Sequence, residues 1–355
     1  MSKKKNKHRS KAQAKNQAAL KPVHAESANK KGVIKGIIIL SALAIVGAAM
    51  FMLGTGISLK TKPLQPKIVL QQNYQQGGVY QCRRNPAFIA INGLRQPVAV
   101  DTKQSRYLGP VFRELRANGR LFRDESWAEV GHVGPVVFDR RGNMYVIPVP
   151  AVSLDVNPLE KQNRVYKVDS KTAKLSVFAQ LPNHERVNAR NPFGVLGITY
   201  DCETDSLYVS SVAGSEPNRE RGVIYQLNIK TGEVLDQLQN VDAIGLGAFN
   251  YAKQKRLFYG SARNSGVYSV RLNKQGGFGS DVRYEFALNE FDQGNSTKAK
   301  KIRFRRSESG KHLMVVSELA FDFRLFAETA SGTKKYIFEY DSNQQKWVYT
   351  HFEWE

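Results

Sequence analysis

The sequence predicts an all-β fold: a β-propeller of five to six four-stranded blades, six being the better fit, behind a single N-terminal transmembrane helix. Three observations predict it. Residues 36–59 form 24 consecutive positions without an ionisable side chain. At ~1.5 Å per residue a helix of that length crosses a hydrocarbon core of ~30 Å with some tilt. Further along, a strand–turn–strand pattern returns four times, and a second pattern of the same kind precedes each copy. Each unit therefore holds four short strands, the signature of propeller blades rather than of solenoids with shorter repeats.

Residues 1–35 are a basic tail. Eleven Lys or Arg stand against one acid, Glu26, so the tail carries about ten of the chain's net charge of +22. It has too few large apolar residues to fold alone and is expected to be disordered. Basic flanks stay on the cytoplasmic side, beside an anionic inner leaflet. Lys30, Lys31 and Lys35 lie against the apolar run, and Lys60, Lys62 and Lys67 on its other flank weaken the bias without reversing it. The expected topology is N-terminus inside and C-terminal domain outside, a bacterial inner-membrane protein with a periplasmic domain. A cleaved signal peptide is the competing reading, but its apolar core is ~7–15 residues, shorter than this run. Nucleic acid is not the expected partner of the tail; anionic lipid is. Residues 60–67, with Pro63 and Pro66, read as a linker, and residues 68–355 as the propeller.

Within residues 68–355 short runs alternate apolar and polar positions and are broken by Gly, Asn, Asp and Pro, the period of half-buried strands. The first repeat centres on Tyr166, Tyr225, Tyr268 and Phe338, spaced 59, 43 and 70 residues apart. The second runs through Val136-Val137-Phe138-Asp139 to Met144-Tyr145-Val146, and through Ile198-Thr199-Tyr200-Asp201 to Leu207-Tyr208-Val209. Its later copies are Ala248-Phe249-Asn250 to Leu257-Phe258-Tyr259, and Ile302-Arg303-Phe304 to Leu313-Met314-Val315. An irregular blade is expected ahead of these, with strands at Phe88-Ile89-Ala90-Ile91 and Pro97-Val98-Ala99-Val100, and Gly77-Gly78-Val79-Tyr80-Gln81-Cys82 as one more outer strand pair.

The layout, a G-x-x-x-D turn, a Gly-Asn or Thr-Asp tip, an L-Y-V-S strand and a V-Y-x-V strand, resembles the NHL, YWTD and SMP-30/gluconolactonase propellers over about residues 86–355. That resemblance implies a ligand site on the axis, at the loops leading into each innermost strand. In SMP-30-like enzymes it implies a divalent cation, Ca or Zn, held by Glu, Asn and Asp, with the Glu often in an E-G-P sequence. Here Val133 stands where that glutamate would be, in His132-Val133-Gly134-Pro135, which counts against metal-dependent hydrolysis. His132, Asn191, Asp242 and Lys300 are the polar residues at comparable positions and the candidates for a central channel; His, Asn and Asp could offer N and O ligands to a metal. No catalytic residue is assigned. The chain lacks a G-x-S-x-G elbow, a P-loop and EF-hand spacing, and Gly276-Gly277-Phe278-Gly279 reads as a hairpin tip.

Outside the tail the sharpest charge feature is Lys298, Lys300, Lys301, Arg303, Arg305 and Arg306, six cations in nine residues. They read either as a site for an anionic ligand or partner, or as a solvated strand face paired with acids such as Glu308. Cys82 and Cys202 are the only two cysteines. An oxidising compartment permits a disulfide between them, but sequence does not show that they are close enough. These features together describe a membrane-anchored propeller that binds a ligand or protein as a scaffold module, and they lean against an enzyme without deciding it. The alternative is a metal-dependent hydrolase or lactonase of the SMP-30 or strictosidine-synthase kind.

Overall fold

Alternating runs separated by Gly-, Asn- and Asp-rich turns form antiparallel hairpins in series. The computed structural model describes residues 82–102, 107–150, 153–182, 187–188, 190–251, 254–293, 296–325 and 332–354. The chain divides into two units, Met1–Lys67 and Ile68–Glu355; every described residue belongs to the second. The expected membrane helix at 36–59, the basic tail and the strand pair expected at 77–81 lie outside the described residues. Among the described residues no helix is long and apolar enough to cross a membrane.

Five sheets follow one another along the chain. The first contains β1 (Val98–Asp101), β2 (Val111–Glu114) and β3 (Leu121–Phe122), in that order. The second contains β4 (Val133–Phe138), β5 (Met144–Pro148), β6 (Arg164–Val168) and β7 (Leu175–Gln180). The third contains β8 (Val195–Asp201), β9 (Ser206–Ser211), β10 (Val223–Asn228) and β11 (Val234–Gln239). The fourth contains β12 (Ala243–Tyr251), β13 (Gln254–Ser261), β14 (Gly266–Leu272) and β15 (Phe278–Ala287). The fifth contains β16 (Lys298–Arg306), β17 (His312–Leu319), β18 (Lys334–Asp341) and β19 (Lys346–Trp354). Consecutive strands pair throughout, and the first strands β4, β8, β12 and β16 lie side by side at the inner edges of their sheets. This is an all-β propeller of five blades. The better fit assigned above to six blades is corrected: five sheets account for residues 98–354, and the first is irregular and has three strands.

Apolar layers between successive blades make up the core. Phe88, Phe112, Trp127, Met144, Val146 and Tyr166 join blades one and two. Tyr145, Ile147, Val195, Ile198, Leu207 and Tyr225 join blades two and three. Tyr208, Ile224, Leu246, Leu257 and Tyr259 join three and four. Phe249, Phe258, Phe286, Ile302, Phe304, Met314 and Phe338 join four and five. Phe88, Ile89, Ala90 and Ile91 are not the expected strand. They form a one-turn helix, α1 (Ala87–Ile91), because Pro86 starts the turn with its fixed φ and Asn92 closes it through its backbone and side-chain N–H groups on the Phe88 carbonyl. Phe88 and Ile89 are buried while Ile91 is exposed.

Where the first strand of each blade ends, at the lower face, the chain from Cys82 to α1 lies across three blades. Cys82 is bonded to Cys202 in the turn between β8 and β9, with Cα atoms 5.9 Å apart. The Arg84 N–H donates to the Asp139 carbonyl (3.2 Å), and the Phe88 N–H to the Ser170 carbonyl (2.7 Å). Asp139 itself is buried and closes the β4–β5 turn by accepting from the backbone of Arg141 and Asn143 and from the Tyr145 hydroxyl.

Candidate functional site at the upper mouth

The opposite, upper face is where β4, β8, β12 and β16 begin, and each residue expected at a central channel lies there. Asp242 precedes β12, and its carboxylate is entirely buried. One oxygen, Oδ1, accepts from the Gly222 N–H at 2.8 Å and from the Ser215 hydroxyl. The other, Oδ2, lies 2.7 Å from the Arg263 guanidinium without the alignment of a hydrogen bond, a charge contact only. The Asp242 N–H donates to Glu220 Oε1 at 2.8 Å.

Asn191 is also buried and belongs to the same knot. Its amide donates to the carbonyls of Val212 and Ser215, both at 2.8 Å, and its Oδ1 accepts from the Phe193 N–H at 3.1 Å. Ser215 thus links Asn191 to Asp242. His132, at the same face, is not part of that knot: its backbone N–H donates to Asn157 Oδ1 at 2.8 Å, and its backbone carbonyl accepts from the Asn157 amide at 3.0 Å. Lys300 is half-buried on β16, which crosses close to β12 at this point. A Cβ on Gly245 would lie 2.5 Å from the Ala299 carbonyl and 3.0 Å from that of Lys300, so only glycine admits this approach.

Arg263, which sequence reasoning did not single out, organises the mouth. It donates to the carbonyls of Pro217 (2.8 Å) and Glu216 (2.9 Å), and its Nε lies 3.8 Å from Glu220 Oε2. Its guanidinium also covers the Phe323 ring, 5.6 Å from the centroid. Phe193, Phe321 and Phe323 pack with Leu196, Val212, Ile244 and Ala262 into an apolar floor beside it. The guanidinium therefore holds Asp242 inside and reaches Glu220 at the rim, where the Glu220 side chain is 41% exposed. Glu216 and Glu220 come from one loop, between β9 and β10, whose tight turn is closed by the Glu216–Arg219 backbone pair.

A divalent cation does not fit the expected ligands. A guanidinium already lies on the Asp242 carboxylate, and the Asn191 amide oxygen accepts from a backbone N–H. Among the described residues no group of three or more His, Cys, Asp or Glu could hold a metal ion. The basic residues Lys298, Lys300, Lys301, Arg303, Arg305 and Arg306 all lie on β16. Arg303, Arg305 and Arg306 are exposed, and Arg305 lies 3.8 Å from Glu353. The first three, half-buried, lie toward the upper mouth.

No family model matches the chain, and no curated protein matches it. Solved structures do. The Bacteroides ovatus xyloglucan PUL GH43B is similar at 10% identity and a TM-score of 0.36, over 61% of this chain and 40% of that one. An exo-β-1,3-galactanase of Phanerochaete chrysosporium is similar at 10% identity and a TM-score of 0.39, over 73% and 54%. A luciferin-regenerating enzyme is similar at 13% identity and a TM-score of 0.38, over 62% and 76%. The chain thus spans about half the length of the first two. Other GH43 enzymes recur among the similar structures, including β-1,3-galactosidases. The expected kinship with NHL, YWTD and SMP-30/gluconolactonase propellers is corrected by this finding, since the recurrent structures are GH43 glycoside hydrolases and no family model supports the expected groups. The scaffold reading, the leaning against an enzyme and the lactonase alternative fall with it. At these identities and scores no residue role passes from those proteins to this chain.

Proposed function

We propose that the chain is a hydrolase acting on glycosidic bonds, with its reaction centre at the upper mouth. The observation that carries this reading is the meeting at Arg263 of the Glu220 and Asp242 carboxylates, with Glu216, in the same loop as Glu220, touching the guanidinium through its backbone carbonyl. Glu220 is exposed at the rim, Glu216 is part-exposed in the same loop, and Asp242 is buried behind them. Glycoside hydrolysis needs two carboxyl groups flanking one bond, one to give a proton to the leaving oxygen and one to attack the anomeric carbon or to activate water. Glu216 and Glu220 are those two groups. Asp242 and Arg263 are positioning residues: the buried pair fixes the loop and the guanidinium fixes the Glu220 carboxylate. The neighbouring Phe193, Phe321 and Phe323 supply an apolar wall that excludes water from one side of the mouth.

In this reading residues 36–59 tether the propeller as a single-pass anchor. The basic tail rests on anionic lipid in the cytoplasm, and the hydrolase faces the periplasm. Protease protection of the full chain in spheroplasts tests the topology: the propeller is digested from outside and the tail is not. The activity is tested with a panel of aryl glycosides and polysaccharides. The wild type releases product from at least one, and Glu220→Gln and Glu216→Gln each lower kcat by 10²-fold or more, with an unchanged melting temperature. Wild-type turnover in either variant, or no turnover on any member of the panel, overturns the reading.

A further inference from the structure

The upper half of β16 brings a second kind of group to the same mouth. Its first residues pass directly beside β12 and β13, which Asp242 precedes and Arg263 follows. A Cβ on Gly260, three residues before Arg263, would lie 2.2 Å from the Ala299 carbonyl, and one on Gly245, three residues after Asp242, would lie 2.5 Å from it. Ala299 is flanked by Lys298 and Lys300. Lys298 pairs with Leu319 at the upper end of β17, and Leu319 packs on the floor formed by Phe193, Phe321 and Phe323.

Lys298 differs from the other cations of the mouth. Arg263 has its carboxylates, and Lys334 has Asp292 and the rings of Phe352 and Trp354. Lys298 Nζ donates to one carbonyl, that of Ser296 at 2.8 Å, and among the described residues no carboxylate pairs with it. The nearest acid along the strand pair, Glu318, is occupied: it accepts from the Thr297 hydroxyl, the Tyr336 hydroxyl and the Lys334 N–H. The ammonium is half-buried, and the partial loss of water pushes its pKa down. A desolvated cation without a counter-ion is unfavourable in the empty site and is relieved by an anion.

We propose that the saccharide taken at this mouth is anionic, and that Lys298, with Lys300 beside it, receives its charged group. This rests on the reading of the mouth as a glycosidase centre and names the substrate class: a glycan bearing a uronate carboxylate or a sulfate ester. One ammonium beside a neighbouring lysine suits either, because Lys acts as a point charge and not as a planar fork.

The test measures binding by calorimetry with the full chain in detergent, against oligogalacturonate, a sulfated galactan oligosaccharide and a neutral galactan oligosaccharide of matched length. An anionic oligosaccharide is expected to bind at least tenfold more tightly than the neutral one, with the margin falling as salt rises. Lys298→Met is expected to remove most of that margin while leaving the melting temperature and the neutral affinity unchanged. Which of the two anionic probes is preferred identifies the charged group. Equal affinity for neutral and anionic probes overturns the proposal. So does a margin that survives Lys298→Met, or displacement of the oligosaccharide by phosphatidylglycerol vesicles, which would assign the lysines to lipid. The two readings fail separately. Hydrolysis of neutral glycans without anion preference sinks this inference alone, whereas a Lys298-dependent preference without turnover of any glycan sinks the hydrolase alone.

Discussion

Breaking the Cys82–Cys202 bond is a perturbation whose effect can be worked from the structure. The bond closes a loop with a sequence separation of 120 residues. In the chain-entropy description the loop term scales as 1.5R ln n, so a loop of this length stabilises the fold by about 5 kcal/mol at 25 °C; measured values fall more often in the range of about 2–4 kcal/mol. At roughly 2–4 °C per kcal/mol for a domain of this size, removal is expected to lower Tm by roughly 5–15 °C. The bond also anchors the strap over blades three, two and one, whose hydrogen bonds to Tyr200, Asp139 and Ser170 depend on its path. The assay is differential scanning calorimetry of three samples: oxidised wild type, reduced wild type and Cys82→Ser/Cys202→Ser. Reduced wild type and the double variant are expected to melt together, well below the oxidised protein. If all three melt within 2 °C of one another, the loop constrains nothing in the unfolded chain and the entropic argument is wrong.

Three further outcomes are expected. Arg263→Met leaves the buried Asp242 carboxylate without its counter-charge, and loss of one partner of such a pair costs about 3–5 kcal/mol, so urea unfolding shifts to lower midpoint; an unshifted midpoint refutes the assigned role. Glu114 is held at about 2, below the ordinary 4.5, by the backbone N–H groups of Arg95 and Arg120 and by Arg116. Because the folded value is the lower one, its contribution is complete above about 4.5 and is lost as pH falls toward 2. The Tm gap between wild type and Glu114→Gln therefore narrows over that window, and a constant gap counts against the linkage. Gly197 on β8 faces the Ile244 carbonyl of β12, where a Cβ would lie 2.2 Å away. Gly197→Ala must push two inner strands apart and should cost about 1–3 kcal/mol by chemical denaturation; a neutral result would show that the inner strands are free to separate.

The four regular blades were legible because period-2 alternation and turn residues act locally. Val165/Lys167 and Tyr166/Val168 already assign opposite faces before any neighbour is known, and β6 obeys them. The first blade was not legible in the same way. Phe88-Ile89-Ala90-Ile91 is as apolar as a strand, and only the surroundings of Pro86, Asn92 and the Ser170 carbonyl turn it into helix. The same irregularity blurred the blade number, since three short strands carry less pattern than four. At the mouth, Asn191 and Asp242 were singled out by their position before an innermost strand, and the structure buries both. Arg263 and Glu220 carried no such signal, because they meet only when the β9–β10 and β13–β14 loops stand side by side. His132 has the same kind of position, and there it is the backbone that binds Asn157.

By itself the sequence determined the all-β class, the four-strand unit and the placement of six cations on one strand, since each follows from the spacing of residues near one another in the chain. Tertiary structure alone decided the count of five blades and the union of Cys82 with Cys202. It alone decided which polar residues share a site. Asp242 meets a guanidinium 21 positions further on, and Cys82 a thiol 120 positions away. The physical reason is that hydrophobic alternation records which face a residue turns to the core, whereas charge pairing depends on which loops the ring of blades brings into contact.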